Sequence, residues 1–247
     1  MGADQVAVVT ASAALLTGLA TLFSIRELRL QRKVQHRPEL ILEDVGFRAL
    51  RLRGESRFPV VTLAHLGSPP QRGDTWRGDL PIRIQNVGRG VAREVEARWS
   101  FDAHDFAAVL APYEESIGGQ IWIEGNTVQL EAKDAPAWFT TGSHIQRLGA
   151  ILPLPNGQEN TIALDFAYSR LVCAFFGAAS LGENQDMLNN WMLPDVRLHL
   201  SYKDMEGNRY TKLLRLRFQL VVLVPSGWPD DGKHDEIAQG YFQVDDA

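Results

Sequence analysis

Metal ligation, acid–base work and nucleophilic attack each need particular side chains close together, and a few stretches of this chain supply them. Asp102, His104 and Asp105 place two carboxylates and an imidazole within four positions, and His234, Asp235 and Glu236 stand in a row. Either set has the oxygen and nitrogen donors that suit a divalent cation, yet both lie in stretches of turn-like or tail-like composition, where solvated polar residues are the expected outcome. Residues 86–93, NVGRGVAR, begin Gly-x-Gly after an alternating apolar stretch, as a dinucleotide loop does. Arg93 stands where the third glycine is needed, and the residues after it alternate like a strand instead of opening a helix.

Cys173, the single cysteine, sits in the apolar run LVCAFF. It is expected to be a buried small hydrophobe, and no disulfide framework can form within the chain. No Gly-x-Ser-x-Gly elbow, His-Glu-x-x-His pair, paired-cysteine motif or Walker loop occurs. The expectation is a protein that is not an enzyme and that uses no cofactor or metal. Aromatics are the other conspicuous supply. Of six tryptophans, Trp76, Trp138 and Trp228 fall in loop-like contexts, where they either cap a sandwich or anchor a protein partner.

What would position these residues begins with residues 6–25, VAVVTASAALLTGLATLFSI, twenty positions without a charge. A helix of that length spans about 30 Å, the thickness of a bilayer's hydrocarbon core. The preceding MGADQ carries Asp4 and no cation, and the run is long for a signal-peptide core, so a retained anchor over 1–25 is expected rather than a cleaved signal. Arg26, Arg29, Arg32, Lys33 and Arg37 come after it, a basic juxtamembrane helix over 26–37 that Pro38 ends. Such a collar contacts lipid headgroups, and its position places the N-terminus outside and the body in the cytoplasm. A body with one cysteine fits a reducing compartment. Within the apolar run Ala7, Ala11, Ala14, Gly18 and Thr21 recur at spacings of four and three, a stripe suited to helix self-association.

The body, 38–225, reads as strands. Alternation predicts them at 40–44, 45–53 (with a bulge, since Phe47 opposes Leu50 and Leu52), 60–66, 80–86 and 91–101. A short helix is expected at 103–111 and a hairpin at 120–130, turning at Gly125-Asn126. Two strands come next within 143–166, then a helical insertion packed on the sheet near 167–193, and strands at 196–202 and 209–224. The tail 226–247 holds six acids against Lys233, and a polar, mobile end is expected there. It accounts for the net charge of -5, so the remainder is neutral and nucleic-acid binding is not expected. Many strands, tight turns and few helices give a mainly β fold, an antiparallel sandwich.

Two motifs sharpen that reading. Asn86, Gly88, Gly90 and Ala92 fit an Asn-x-Gly-x-Gly-x-Ala turn, and Tyr202, Asp204, Gly207 and Tyr210 fit a Tyr-x-Asp-x-x-Gly-x-x-Tyr hairpin. With one N-terminal apolar helix, a basic collar and Arg-Pro before them, the chain resembles uncharacterised bacterial membrane proteins with a cytoplasmic immunoglobulin-like β-sandwich. The resemblance implies a single-pass protein of the bacterial inner membrane. Locally, the glycines are read as supplying unusual backbone angles, Asn86 as bonding its own turn, and Asp204 with Gly207 as turn residues between packed tyrosines. The functional expectation is a membrane-anchored interaction or scaffold module, whose partners are the bilayer and either a second protein or another copy. The alternative is an antiphage-type effector that senses a small molecule, of unknown identity, and acts by clustering its membrane helices.

Overall fold

The computed structural model describes residues 3–52, 61–66, 80–114, 119–124, 127–132, 135–140, 145–154, 160–180, 193–223 and 234–247; within these, the side chains of 3–13, 33–35, 52, 119, 130–132, 135–140, 223, 234 and 235 lie outside the description. The elements run α1 (Ala3–Gln35), β1 (Leu40–Leu42), β2 (Val45–Leu52), β3 (Val61–His65), β4 (Pro81–Asn86), β5 (Arg93–Ser100), α2 (Ala103–Leu110), β6 (Gly119–Glu124), β7 (Thr127–Ala132) and β8 (Ala135–Thr140). They continue with β9 (Ile145–Leu148), β10 (Asn160–Ala163), α3 (Phe166–Ala179), β11 (Val196–Lys203), β12 (Arg209–Leu223) and β13 (His234–Asp246).

The fold is mainly β and its ladders are antiparallel. A seven-stranded sheet runs in the order β3-β2-β13-β12-β11-β5-β9, and two three-stranded sheets run β1-β4-β10 and β6-β7-β8. All three sheets, with α2 and α3, contribute to one hydrophobic core, a sandwich-like arrangement. Alternation explains most of it: β11 buries Val196, Leu198, Leu200 and Tyr202 and turns Arg197 and His199 outward. β4 does the same with Ile82 and Ile84, and β5 with Val95, Ala97 and Trp99. Trp99 is buried with its indole N–H donating to the Ala163 carbonyl at 2.9 Å, which gives the ring's polar edge a partner.

α3 is the centre of this core. Asp165 caps it, accepting from the Tyr168 N–H at 3.0 Å, and twelve of its residues are buried. Phe176 of α3 lies 6.1 Å from Phe47, whose ring also meets Phe218 and Phe242 at 5.2 Å each. Gly240 stands opposite Phe47 in the ladder, and a Cβ there would come within 2.7 Å of that ring and 2.5 Å of the Gln219 carbonyl oxygen. The expected insertion near 167–193 is thus helical as far as Ala179, while 181–192, with Trp191, lie outside the described residues.

Three expectations are corrected. The acidic tail is not a free end: β13 lies between β2 and β12 and buries Ala238, Gly240 and Phe242, with its acids on other positions. The stretch 135–140 is a strand pairing with β7, so Trp138 stands on β8 opposite Gln129 and not in a loop. Finally, β2 pairs with β3 without a shift, and the irregularity falls on its other neighbour, between Glu236 and Ala238 of β13. Phe47 and Leu50 are both fully buried, on opposite faces of β2. The hairpin at Gly125-Asn126 has the expected register, Glu124 pairing with Thr127.

α1 continues the apolar run and the basic stretch as one helix of 33 residues. From Ala14 to Arg32 every side chain is exposed, with Leu15, Leu16, Leu22 and Phe23 between 65% and 68%. Among the described residues no helix is long and apolar enough to cross a membrane; the side chains of 3–13, which include eight of the twenty residues of the apolar run, lie outside that description.

Candidate functional site

The two glycine-containing motifs, more than a hundred residues apart, meet at one place: the segment His36–Leu40, where the chain leaves α1 and enters the sheet. The last helical bond runs from the His36 N–H to the Arg32 carbonyl at 2.9 Å. Pro38 then turns the chain into β1, as its disfavour for helical geometry in the preceding residue requires.

On one side lies the loop after β4. Asn86 is 1% exposed, and its amide is fully used. Its Oδ1 accepts from the Glu39 N–H at 3.0 Å and the Gly88 N–H at 3.1 Å. Its Nδ2 donates to the Gly90 carbonyl at 2.7 Å and the Ile151 carbonyl at 3.1 Å. The Val87 N–H adds a bond to the Glu39 carbonyl at 2.9 Å. Neither Gly88 nor Gly90 has a positive φ, so unusual backbone angles are not why glycine is there. Close approach is the reason. A Cβ on Gly90 would stand 1.7 Å from the His36 carbonyl oxygen, and one on Gly88 would stand 2.4 Å from that of Arg37.

On the other side lies the hairpin between β11 and β12. Asp204 accepts from the Glu206 and Asn208 N–H groups at 2.9 and 2.8 Å, from Asn208 Nδ2 at 2.7 Å and from the Tyr210 hydroxyl at 2.9 Å. Burial by itself would raise its pKa; these donors outweigh it and hold the carboxyl below its ordinary value. Gly207 supplies the positive φ of 86° that the turn needs. Tyr202 and Tyr210 stack at 5.5 Å and 19°, and the Arg37 guanidinium lies 5.2 Å from the Tyr210 ring centre, a cation–π contact of about 0.5–1 kcal/mol. Burial raises the Tyr202 hydroxyl's pKa, against a hydrogen bond with the Leu40 backbone that lowers it. The result is a clasp: residues 36–40 are gripped from both sides by groups whose hydrogen-bonding capacity is satisfied within it.

The remaining sequence-level candidates are dispersed. Asp102 caps α2, its carboxylate accepting from the His104 and Asp105 N–H groups at 2.9 and 3.1 Å, so this trio is a helix start. Glu236 faces Arg48 at 3.7 Å with both side chains nearly buried, while the side chains of His234 and Asp235 lie outside the described residues. Among the described residues no group of three such side chains could hold a metal. Cys173 is buried in α3, and burial pushes its thiol up to about 12, far from a nucleophile's range. In the self-association stripe, Ala14, Gly18 and Thr21 are exposed, and the Thr21 hydroxyl donates to the Thr17 carbonyl at 2.8 Å. The side chains of Ala7 and Ala11 lie outside the description. Of the basic set, Arg26, Arg29 and Arg32 are exposed, Lys33 is outside the description, and Arg37 belongs to the clasp. Trp76 and Trp228 lie outside the described residues, as does the side chain of Trp138.

One feature was not foreseen from the sequence: a concave patch of about 500 Å³ on the outer face of the seven-stranded sheet, reaching from β9 to β12 and including Arg98 and His199. Both occupy outward positions of clearly alternating strands, but their juxtaposition depends on a ladder register that a linear pattern does not contain. Compared with known proteins, the chain matches no family model, no curated protein and no solved structure.

Proposed function

We propose that this protein is a non-enzymatic module that α1 anchors in a membrane, N-terminus outside, with the β-domain on the cytoplasmic face of the bacterial inner membrane as a protein-interaction or scaffold unit of immunoglobulin-like sandwich type. One observation carries the reading: a helix of 33 residues, uncharged over 6–25, leaves its described side chains from Ala14 to Arg32 uncovered by its own chain, while its far end is clasped to the sheet. Covering exposed Leu and Phe from water is worth roughly 1.5–3 kcal/mol for each side chain, so the run calls for lipid or another helix around it. Arg26, Arg29 and Arg32 on the next turns suit anionic headgroups at about 1 kcal/mol each. Confinement to the bilayer raises the domain's effective concentration toward partners in the same surface. Recovery of a stoichiometric protein partner with the full-length chain from detergent-solubilised membranes is the expected result. Recovery of the chain alone, under conditions that preserve other membrane complexes, contradicts the scaffold reading.

The clasp favours a second reading, a ligand-sensing effector. Because residues 36–40 are bonded to both the β4 loop and the β11–β12 hairpin, a shift in the sheet would be passed to the root of α1 rather than absorbed by a slack linker. Overexpression toxicity that disappears when residues 1–25 are removed is the outcome this reading expects. A chain that is harmless at high level with α1 intact overturns it.

A further inference from the structure

The outer-face patch is built from a row of side chains crossing four strands. Ile145 of β9 stands opposite Arg98 of β5, Arg98 opposite His199 of β11, and His199 opposite Leu213 of β12. One step along, Ser201 faces Thr211, and all six residues line the same concavity of about 500 Å³. The central pair is cationic or hydrogen-bond-donating, the two ends of the row are apolar, and two hydroxyls lie beside the centre.

Several charges on this sheet are matched, and those at the centre of the row are not. Arg215 faces Asp195 at 3.7 Å and Arg217 faces Asp245 at 3.6 Å. The patch's one carboxylate, Glu96, is held by Arg147 at 3.2 Å, and Lys212 by Asp246 at 3.1 Å. Arg98 and His199 are exposed and, among the described residues, form no ion pair or side-chain hydrogen bond. An unpaired surface arginine is ordinary by itself. What sets this one apart is its convergence with an imidazole and two hydroxyls in a concavity of small-ligand size. Paired residues on neighbouring antiparallel strands lie about 5 Å apart at Cα, close enough for both side chains to reach one tetrahedral anion. A guanidinium binds two of its oxygens at once, and Ser201 and Thr211 can donate to the others.

We propose that this groove binds a small phosphate-bearing molecule with an apolar portion: the phosphate lies between Arg98 and His199, and the apolar portion packs on Leu213 or Ile145. An acidic protein segment fits less well, because across the strands the cationic centre is bounded on both sides by apolar residues, and along β11 it continues to Arg197 beside Arg215, which Asp195 already faces. The site supplies the ligand class that the sensing reading requires and rests on that reading only for its consequence. Binding is measured with the chain in detergent, whether or not α1 enters a bilayer.

Phenyl phosphate is the probe, titrated by calorimetry into the full-length protein, with inorganic phosphate as the comparison. Saturable binding is expected, tighter for phenyl phosphate than for inorganic phosphate. Arg98→Ala weakens it roughly tenfold or more, as loss of a charge-assisted hydrogen bond should. Arg98→Lys keeps part of it, Leu213→Ser removes the preference for the phenyl group, and Arg217→Ala changes nothing. Arg98 is exposed and Leu213 and Arg217 are half-buried, and unchanged melting temperatures verify that each variant is folded. No saturable binding up to about 10 mM, weaker than a millimolar site, overturns the proposal. So does binding that survives Arg98→Ala, or a glutamate-rich peptide that displaces the probe at lower concentration, which would reassign the face to an acidic protein. Intact binding with no partner and no toxicity defeats the functional readings and leaves the groove standing; the reverse defeats the groove alone.

Discussion

Two apolar helices of this chain meet opposite fates. α3 has fourteen residues and buries twelve, whereas α1 has 33 and buries none of those described from Ala14 to Arg32. Composition does not separate them, since both carry long uncharged runs. Length and attachment do. α3 is about 21 Å long, too short for a bilayer, and β10 leads into it directly. α1 is held at its C-terminal end by the clasp at 36–40, and from Ala14 to Arg32 its side chains are exposed. The core holds one apolar helix; the function proposed above gives the other lipid or another helix as its surroundings.

The difference can be broken most forcefully at α3. Phe176→Ala removes a ring that meets Phe47, Phe175 and Phe218, and is expected to cost about 3–5 kcal/mol in chemical denaturation. Next in size is Gly90→Ala at the root of α1. A Cβ would stand 1.7 Å from the His36 carbonyl oxygen, so backbone must move, and a loss of about 1–3 kcal/mol is expected. If Gly90→Ala is neutral, the clasp is not tight and sensing through it fails.

Asn86→Ala should cost about 1–3 kcal/mol, since it strands the Glu39 and Gly88 N–H groups and the Gly90 carbonyl. Protection of the Glu39 and Gly88 amides from hydrogen exchange should fall with it. Asp204 adds a pH signature. Because its folded pKa is lowered, its contribution is complete above the unfolded value of about 4 and is lost as pH falls through the folded value. Asp204→Asn is therefore expected to flatten part of the acid limb of the stability profile; an unchanged limb would assign that loss to other carboxylates. The smallest effect is expected on α1: Leu16→Ser and Leu22→Ser should change the domain's stability by less than about 0.5 kcal/mol, because neither is buried. A large loss in detergent-free denaturation would mean that α1 packs on its own chain after all.

How far the sequence carried this picture depended on the range of the interaction. Strands such as 196–203 and 80–86 were readable because burial alternates with the pleat, and the 103–110 helix because Asp102 stands at its start. β13 was hidden by its own inward residues. Ala238 and Gly240 are small enough to break the apolar alternation, and the acids on other positions read as a solvated tail. β8 carries Pro136, a residue that argues against a strand away from an edge, and β8 is indeed the edge of its sheet. The clasp motifs were recognisable as turns, but their purpose was not. Asn86 bonds a residue 47 positions away, and Gly90 is required by the His36 carbonyl rather than by its own φ. The outer-face row needed four strands in register before Arg98 and His199 became neighbours.

In the proposed function lipid holds α1, as the domain holds α3. Alkaline carbonate extraction of membranes from cells expressing the full-length chain tests it directly, with a version lacking residues 1–25 in parallel. The full chain is expected to stay in the membrane pellet and the shortened one to be released. Release of the full chain into the soluble fraction would contradict it.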